Sequence, residues 1–365
     1  MEKKNTVYIK NVGCERRVLD AERFGNYFSL NGFHLTDDPE TADYLILVTC
    51  GFKEKRVDES MHLVETLSAN KGELIVAGCL PGILPEKLSK VFSGKTVVTK
   101  EIDIIDHFFP QFKIKLKDVA DGNIFKPNPQ IKQLRISGGC VSNCAYCGIR
   151  NAVGRLKSKP IDLIIEEYKK MIDDGFRKFF FVADDIGAYG LDIKLTFPIL
   201  MERLSEIDKE LPIQWYITEM DPRWIVKYKN QLLKWIKNKK IRLLFCPIQS
   251  GSRQILKKMN RYPDIETITQ SLLEFKTAFP QLEVDTQIII GFPSETDDDF
   301  KSTLAAIRRI NFGTVFLNKY FDINWAASSK MENKIPEDIK IQRLQTAIKF
   351  LEKEKIHCQC DEFTS

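Results

Sequence analysis

GGCVSNCAYCGIR, residues 138–150, is the stretch on which the fold and chemistry of this chain turn. It sets Cys140, Cys144 and Cys147 in a C-x3-C-x2-C pattern directly after a strand-like run, QLRIS at 133–137. Thiolates are the standard ligands of iron–sulfur clusters, and three of them on a four-iron cubane leave one iron open to another ligand. Zinc is the competing metal, but its sites usually take four ligands and favour C-x2-C pairs. No fourth Cys or His lies nearby in the sequence.

Working outward, QLRIS is the first of six strand-like runs. KFFFVA (178–183), IQWYIT (213–218), IRLLFCPIQ (241–249), VDTQIIIG (284–291) and TVFLNKYF (314–321) follow. All are β-branched, aliphatic or aromatic and of strand length. Helical stretches separate them at 163–173, 197–209, 225–237, 255–259 with 267–277, and 300–310. Six β/α units in succession predict a partial (β/α)6 barrel with its catalytic groups at the C-terminal strand ends. Ahead of it, TVYIKN, YLILVT, LIVAG and TVVTK alternate with helices expected at 19–30, 57–68 and 85–92. Nearly continuous apolar strands between helices predict an open parallel α/β sheet covered on both faces. The expected organisation is α/β throughout. An N-terminal domain spans 1–110, a linker without periodicity 111–132, the partial barrel 133–335, and a C-terminal helix and tail 336–365.

A composition of 43% hydrophobic and 29% charged residues suits a globular protein. No run approaches the ~18 apolar residues of a membrane helix, and the start, MEKKNTVYIKNVGC, has no apolar signal core. A cytoplasmic location without a membrane partner is expected. The net charge of +5 permits a nucleic-acid partner without requiring one. The densest basic run, 227–242, carries apolar residues at helical spacing, so its lysines read as the solvated face of an amphipathic helix.

Nine cysteines in a reducing compartment call for an explanation other than structural disulfides. Beyond the tight set, Cys14 follows VYIKN, Cys50 follows YLILVT and Cys79 follows LIVAG. All three stand at C-terminal strand ends of the first domain, the edge where open α/β sheets gather ligands. Small buried thiols are common, but three at equivalent ends point to a second cluster. Cys246 reads as buried packing, and Cys358 and Cys360 as thiols of an exposed tail.

The C-x3-C-x2-C loop opening a six-unit β/α series, with Tyr146 before the last cysteine, resembles the radical SAM superfamily. That resemblance implies that the open iron chelates S-adenosylmethionine (SAM), whose reductive cleavage gives a hydrogen-abstracting 5′-deoxyadenosyl radical. The wider pattern resembles the methylthiotransferases of that superfamily, along nearly the whole chain. The matching segments are NVGCERRVLDAE, ADYLILVTCGFKEKRVDES, VAGCLPG, GRLKSKP, VADDIGAYG, PIQSGSRQILKKMNR and IIIGFPSETDDDF. The resemblance implies two [4Fe–4S] clusters, the auxiliary one held by Cys14, Cys50 and Cys79. It implies SAM contacts from Tyr146, Asp184, Asp185, Glu219, Gln249, Ser250 and Arg261, the last for the carboxylate, with Ile290 and Gly291 offering backbone to adenine. An external donor such as flavodoxin or ferredoxin would supply electrons.

Departures bear on the substrate. Arg17 stands where the family commonly has asparagine, and Phe245 where it has histidine. FDINWAAS (321–328) replaces an expected arginine–glycine–threonine turn. The chain stops where the family's TRAM domain, which helps bind tRNA or protein, would begin. The sequence therefore favours C–S bond formation on a peptide or protein, such as a ribosomally made precursor peptide. The alternatives are a tRNA methylthiotransferase and a non-catalytic iron–sulfur sensor.

Overall fold

A computed structural model of the chain describes residues 5–121, 131–360 and 362. The chain forms two compact units, Met1–Pro127 with Gly148–Arg155, and Asn128–Cys147 with Leu156–Ser365.

In the first unit, β1 (Thr6–Asn11), β2 (His34–Leu35), β3 (Tyr44–Thr49), β4 (Glu73–Gly78) and β5 (Lys95–Val98) form one sheet in the order β2-β1-β3-β4-β5. Every pairing is parallel. β3 is buried from Leu45 to Thr49, as a central strand between two helical layers should be. Tyr27, Phe28, Phe109 and Phe112 pack together beside the sheet, Phe109 and Phe112 stacked at 4.8 Å. The expected linker therefore begins too early. Phe112, Leu116 and Val119 are buried in this core, and Arg23 donates to the carbonyls of Leu116 at 2.7 Å and Val119 at 3.0 Å. Apolar residues spaced irregularly through a lysine-rich stretch hid that anchoring. Residues 122–130 of the expected linker lie outside the described residues.

The second unit is built on β6 (Ile131–Arg135), β9 (Lys178–Val182), β10 (Gln214–Ile217), β11 (Ile241–Phe245), β12 (Glu283–Ile290), β13 (Thr314–Lys319) and β14 (His357–Cys360). They form one all-parallel sheet in the order β14-β13-β12-β11-β10-β9-β6. A two-stranded antiparallel ribbon, β7 (Ser137–Gly138) with β8 (Lys157–Ser158), flanks the cysteine loop. The six expected barrel strands are all present, and β14 is a seventh. It runs along β13, Thr314 opposite His357 and Leu317 opposite Cys360. Cys360 is buried in the core and Cys358 packs partly against it, so neither is an exposed tail thiol.

The helix expected over 225–237 is two helices, Pro222–Lys227 and Lys229–Lys237, broken at Tyr228. Lys229 pairs with Glu274 at 2.5 Å, Lys234 with Glu202 at 2.7 Å, and Lys240 with Asp208. Lys229 and Lys234 fit the solvated-face reading of the basic run, whereas Lys240 lies past the helix and meets a buried carboxylate. No helix among the described residues is long and apolar enough to cross a membrane.

Candidate active site

In the first unit, register brings the wide-set cysteines to one edge. Thr49 of β3 pairs with Gly78 of β4, so Cys50 and Cys79 each lie one residue past a matched pair. Asn11 of β1 pairs with Val48, and the Val12 amide continues the ladder to the Val48 carbonyl at 2.9 Å, ahead of Cys14. Gly78 adopts φ +99, and a Cβ there would stand 2.6 Å from the Thr49 carbonyl oxygen. A Cβ on Gly51 would come within 3.1 Å of the Cys79 carbonyl oxygen. Only glycines allow the two cysteine loops to approach this closely. Burial pushes the Cys50 thiol up, opposed by hydrogen bonds from the Phe52 and Lys53 backbone, with Cys14 close enough to add to the rise.

The second unit carries the tight set on the loop between the β7–β8 ribbon strands. Cys140 is buried, while Cys144 and Cys147 are half-buried. The Ser142 amide donates to Cys140 Sγ at 3.3 Å, and Arg261 donates to Cys144 Sγ at 3.7 Å. The loop backbone is tied on both sides. The Ala145 amide donates to the Met259 carbonyl, and the Ala145 carbonyl accepts from the Ser328 amide, both at 2.9 Å. Burial and the nearby Asp185 carboxylate push the Cys140 thiol up to about 11.

Among the described residues, no three His, Cys, Asp or Glu side chains are close enough to hold a single metal ion. A cubane binds each thiolate to a separate iron, so its ligands are spread more widely. Each set offers three thiols with backbone drawn close around them, a donor set that fits such a cluster.

Several of the expected SAM contacts also make bonds within the protein. Asp184 accepts from the Gly139 amide at 2.8 Å and so fixes the entry to the cysteine loop. Asp185 is buried and accepts from the Trp224 indole at 2.8 Å. Burial first, then the Asp221 charge, pushes the Asp185 carboxyl up to about 6. Ser250 is fully buried, its hydroxyl paired with Thr303 at 3.2 Å and accepting from the Ser252 amide at 3.1 Å, so it serves a turn. The Ile290 carbonyl accepts from the Tyr320 amide at 2.8 Å, and the Gly291 amide donates to Glu295 at 2.9 Å, so those two backbone groups are occupied. Two of the three guanidinium nitrogens of Arg261 are engaged by the protein itself. Arg261 lies 2.6 Å from Asp221 and donates to the Pro247 carbonyl at 2.5 Å. Tyr146 is buried, its ring edge-on to Phe292 at 6.5 Å.

Glu219 and Gln249 remain as strand-end candidates. Both hold left-handed backbone, φ +48 and +67, a conformation that non-glycine residues keep when surroundings enforce it. Gln249 Oε1 is buried without a hydrogen-bond partner among the described residues. Cys246 is fully buried in the core, and burial drives its thiol far up.

Sequence reading missed Asp221, Arg223 and Trp224. Asp221 before Pro222 carries the signature of a helix cap, and it does accept from the Arg223 amide at 3.0 Å. Its larger role, binding two arginines that reach the cysteine loop, needs residues far apart in sequence.

The sequence pattern of the Radical SAM superfamily matches residues 134–307, and that of Uncharacterized protein family UPF0004 matches residues 6–99. A probable threonylcarbamoyladenosine tRNA methylthiotransferase of Pyrococcus horikoshii is 29% identical over 327 residues, 86% of this chain and 76% of that one. The chain belongs to the radical SAM methylthiotransferase family. A ribosomal protein uS12 methylthiotransferase of Francisella philomiragia is 28% identical over 92% of this chain and 79% of its own length. Among solved structures, the radical SAM methyltransferase TsrM of Kitasatospora setae shares the fold. Its TM-score is 0.63 at 10% identity, over 89% of this chain and 77% of that one. As a methylthiotransferase family member the chain is an enzyme of C–S bond formation, whose family uses SAM, two [4Fe–4S] clusters and an external electron donor.

Proposed function

We propose that this enzyme installs a methylthio group on a nucleobase of a transfer RNA. The observation that carries the reading is the face of the large sheet turned away from its helices. Phe179, Phe181, Trp215, Leu244, Val315 and Leu317 point into the helix-covered core. Alternation along the strands therefore puts Phe180, Tyr216, Phe245 and Phe316 on the opposite face. Phe180 and Tyr216 stack at 6.1 Å, and Phe245 meets Phe316 edge-on at 5.4 Å. Gln133, Gln287 and Asn318 share that face by the same alternation, and Asn318 Nδ2 has no partner among the described residues. Aromatic rings that stack a base, with amides to read its edges, are the usual equipment for an unstacked nucleotide.

The name of the Pyrococcus relative, a probable tRNA methylthiotransferase, supports the same substrate class. It moves the preference away from the peptide expected at first. We assign Cys140, Cys144 and Cys147 to the SAM-binding cluster and Cys14, Cys50 and Cys79 to the auxiliary one. Bound there, the clusters and SAM supply the radical and the sulfur. Asp184 then orients the cysteine loop through Gly139, Gln249 offers its unpartnered carbonyl to a donor, and the aromatic face positions the base. The hard chemistry belongs to the cofactors.

A protein substrate is the second reading, favoured by the name of the Francisella relative. Reconstituted enzyme with SAM and reductant is offered unmodified tRNA, ribosomal protein and peptides, and products are screened by mass spectrometry. A methylthio gain on a nucleoside is expected. The same gain on protein or peptide alone overturns the proposal.

A further inference from the structure

Asp221 gathers two guanidinium groups at the end of β10. Its Oδ2 lies 2.6 Å from Arg261 Nη1 and 3.0 Å from Arg223 Nη2. Both arginines continue to the cysteine loop. Arg261 Nη1 donates to Cys144 Sγ at 3.7 Å, and Arg223 donates to the Ser142 hydroxyl, whose residue's amide donates to Cys140 Sγ at 3.3 Å. The Arg261 and Asp221 side chains are 7% and 4% exposed, so solvent screens neither.

A buried guanidinium is costly unless its donors find anions. A neutral thiol is a weak acceptor, whereas a metal-bound thiolate is negative and makes a charge-assisted bond. Arg261 is thus placed for a ligated sulfur. Hydrogen bonds to ligand sulfurs and nearby charge are levers on cluster potential. Asp185 adds a second buried carboxylate to the group, on the Cys140 side, where it accepts from Trp224 and lies 3.5 Å from the Ser142 hydroxyl. The N–H in contact with Cys144 is the nearest of these charges to the sulfur, and proximity decides.

We infer that Arg261, held in place by Asp221, is a positioning residue that raises the reduction potential of the cluster on Cys140, Cys144 and Cys147. Reduction adds negative charge to the cluster, and an adjacent cation stabilises that state. The inference rests on the assignment of those three cysteines as ligands.

The test is an EPR-monitored redox titration of the reconstituted full chain, in wild-type and C14A/C50A/C79A backgrounds, so that one cluster can be read alone. Arg261→Gln should shift that cluster to a more negative potential at unchanged iron content. Arg261→Lys, which keeps the charge, should recover most of the shift. Asp221→Asn, which removes the opposing carboxylate but keeps an acceptor, should shift it the other way. An unchanged potential in Arg261→Gln overturns the inference. Should that variant lose its iron, Asp221→Asn decides, and no shift there is equally fatal. If Cys140→Ala retains the wild-type signal in the single-cluster background, the ligand assignment fails instead, a result visible without any Arg261 variant.

Discussion

Trp224 donates its indole N–H to Asp185 across 2.8 Å, joining the helix that follows β10 to the loop that follows β9. Both residues are buried, Trp224 stacks on Tyr228 at 5.5 Å, and the Asp185 carboxylate also lies 3.5 Å from the Ser142 hydroxyl. Replacing Trp224 by Phe keeps the stack and deletes the donor. A buried carboxylate oxygen left without its partner should cost about 1–3 kcal/mol, read as a lower urea midpoint of the full chain. Adding Asp185→Asn should return part of the loss. An unchanged midpoint in Trp224→Phe would show that the bond contributes nothing.

The two cysteine sets should load independently. Changing Cys14, Cys50 and Cys79 together to Ala should remove about half of the reconstituted iron, and changing Cys140, Cys144 and Cys147 the other half. Iron and sulfide analysis with Mössbauer spectroscopy checks this. Full iron in the first variant removes the auxiliary cluster from the account.

If the aromatic face stacks a base, Tyr216→Leu should weaken substrate more than it weakens the fold. Base–aromatic stacking contributes about 1–3 kcal/mol per base. The expected change is a rise in KM for tRNA of roughly fivefold or more, with the thermal midpoint nearly kept because Tyr216 is only half-buried. Equal KM values for variant and wild type would take the stack out of recognition.

Glu295 gives a pH signature. It is buried, accepts from the Gly291 amide at 2.9 Å, and meets Arg343 at 3.0 Å. Burial raises its carboxyl from the ordinary 4.5 to about 7, although the amide and Arg343 pull the other way. A raised acid is protonated in the folded chain where the unfolded chain has already ionised. Stability should therefore fall as pH rises from about 4.5 to about 7 and level off above. Glu295→Gln should flatten that part of the profile, a difference on the order of 1–3 kcal/mol by denaturant titration. Parallel wild-type and variant profiles would show that burial does not govern this carboxyl.

Strand identity was legible because parallel strands read as unbroken apolar runs; YLILVT is buried from its second residue on, while KFFFV buries Phe179 and Phe181 and leaves Phe180 half-buried. HCQC was not legible as a strand. Four residues of mixed polarity become β14 only because β13 offers an open edge. The strand-end places of Cys14, Cys50 and Cys79 were legible from the apolar runs before them. The residues supporting the tight cysteine set were not, since Asp221 reads locally as a cap, and the carboxylate partner of Arg261 stands 40 positions earlier. The bonds of Ser250 were hidden for a related reason. A hydroxyl at a strand end suggests a ligand, yet Thr303 on a later helix had already satisfied it.

The match of Thr49 with Gly78 has a further consequence for the life of the auxiliary centre. Cys50 and Cys79 are kept neighbours by a backbone ladder that neither thiol takes part in. Small zinc domains, by contrast, collapse when stripped, because the ion itself pulls distant ligands together. Oxidative loss of iron should leave a folded, refillable shell, and repair becomes a matter of delivering new cluster rather than making new protein.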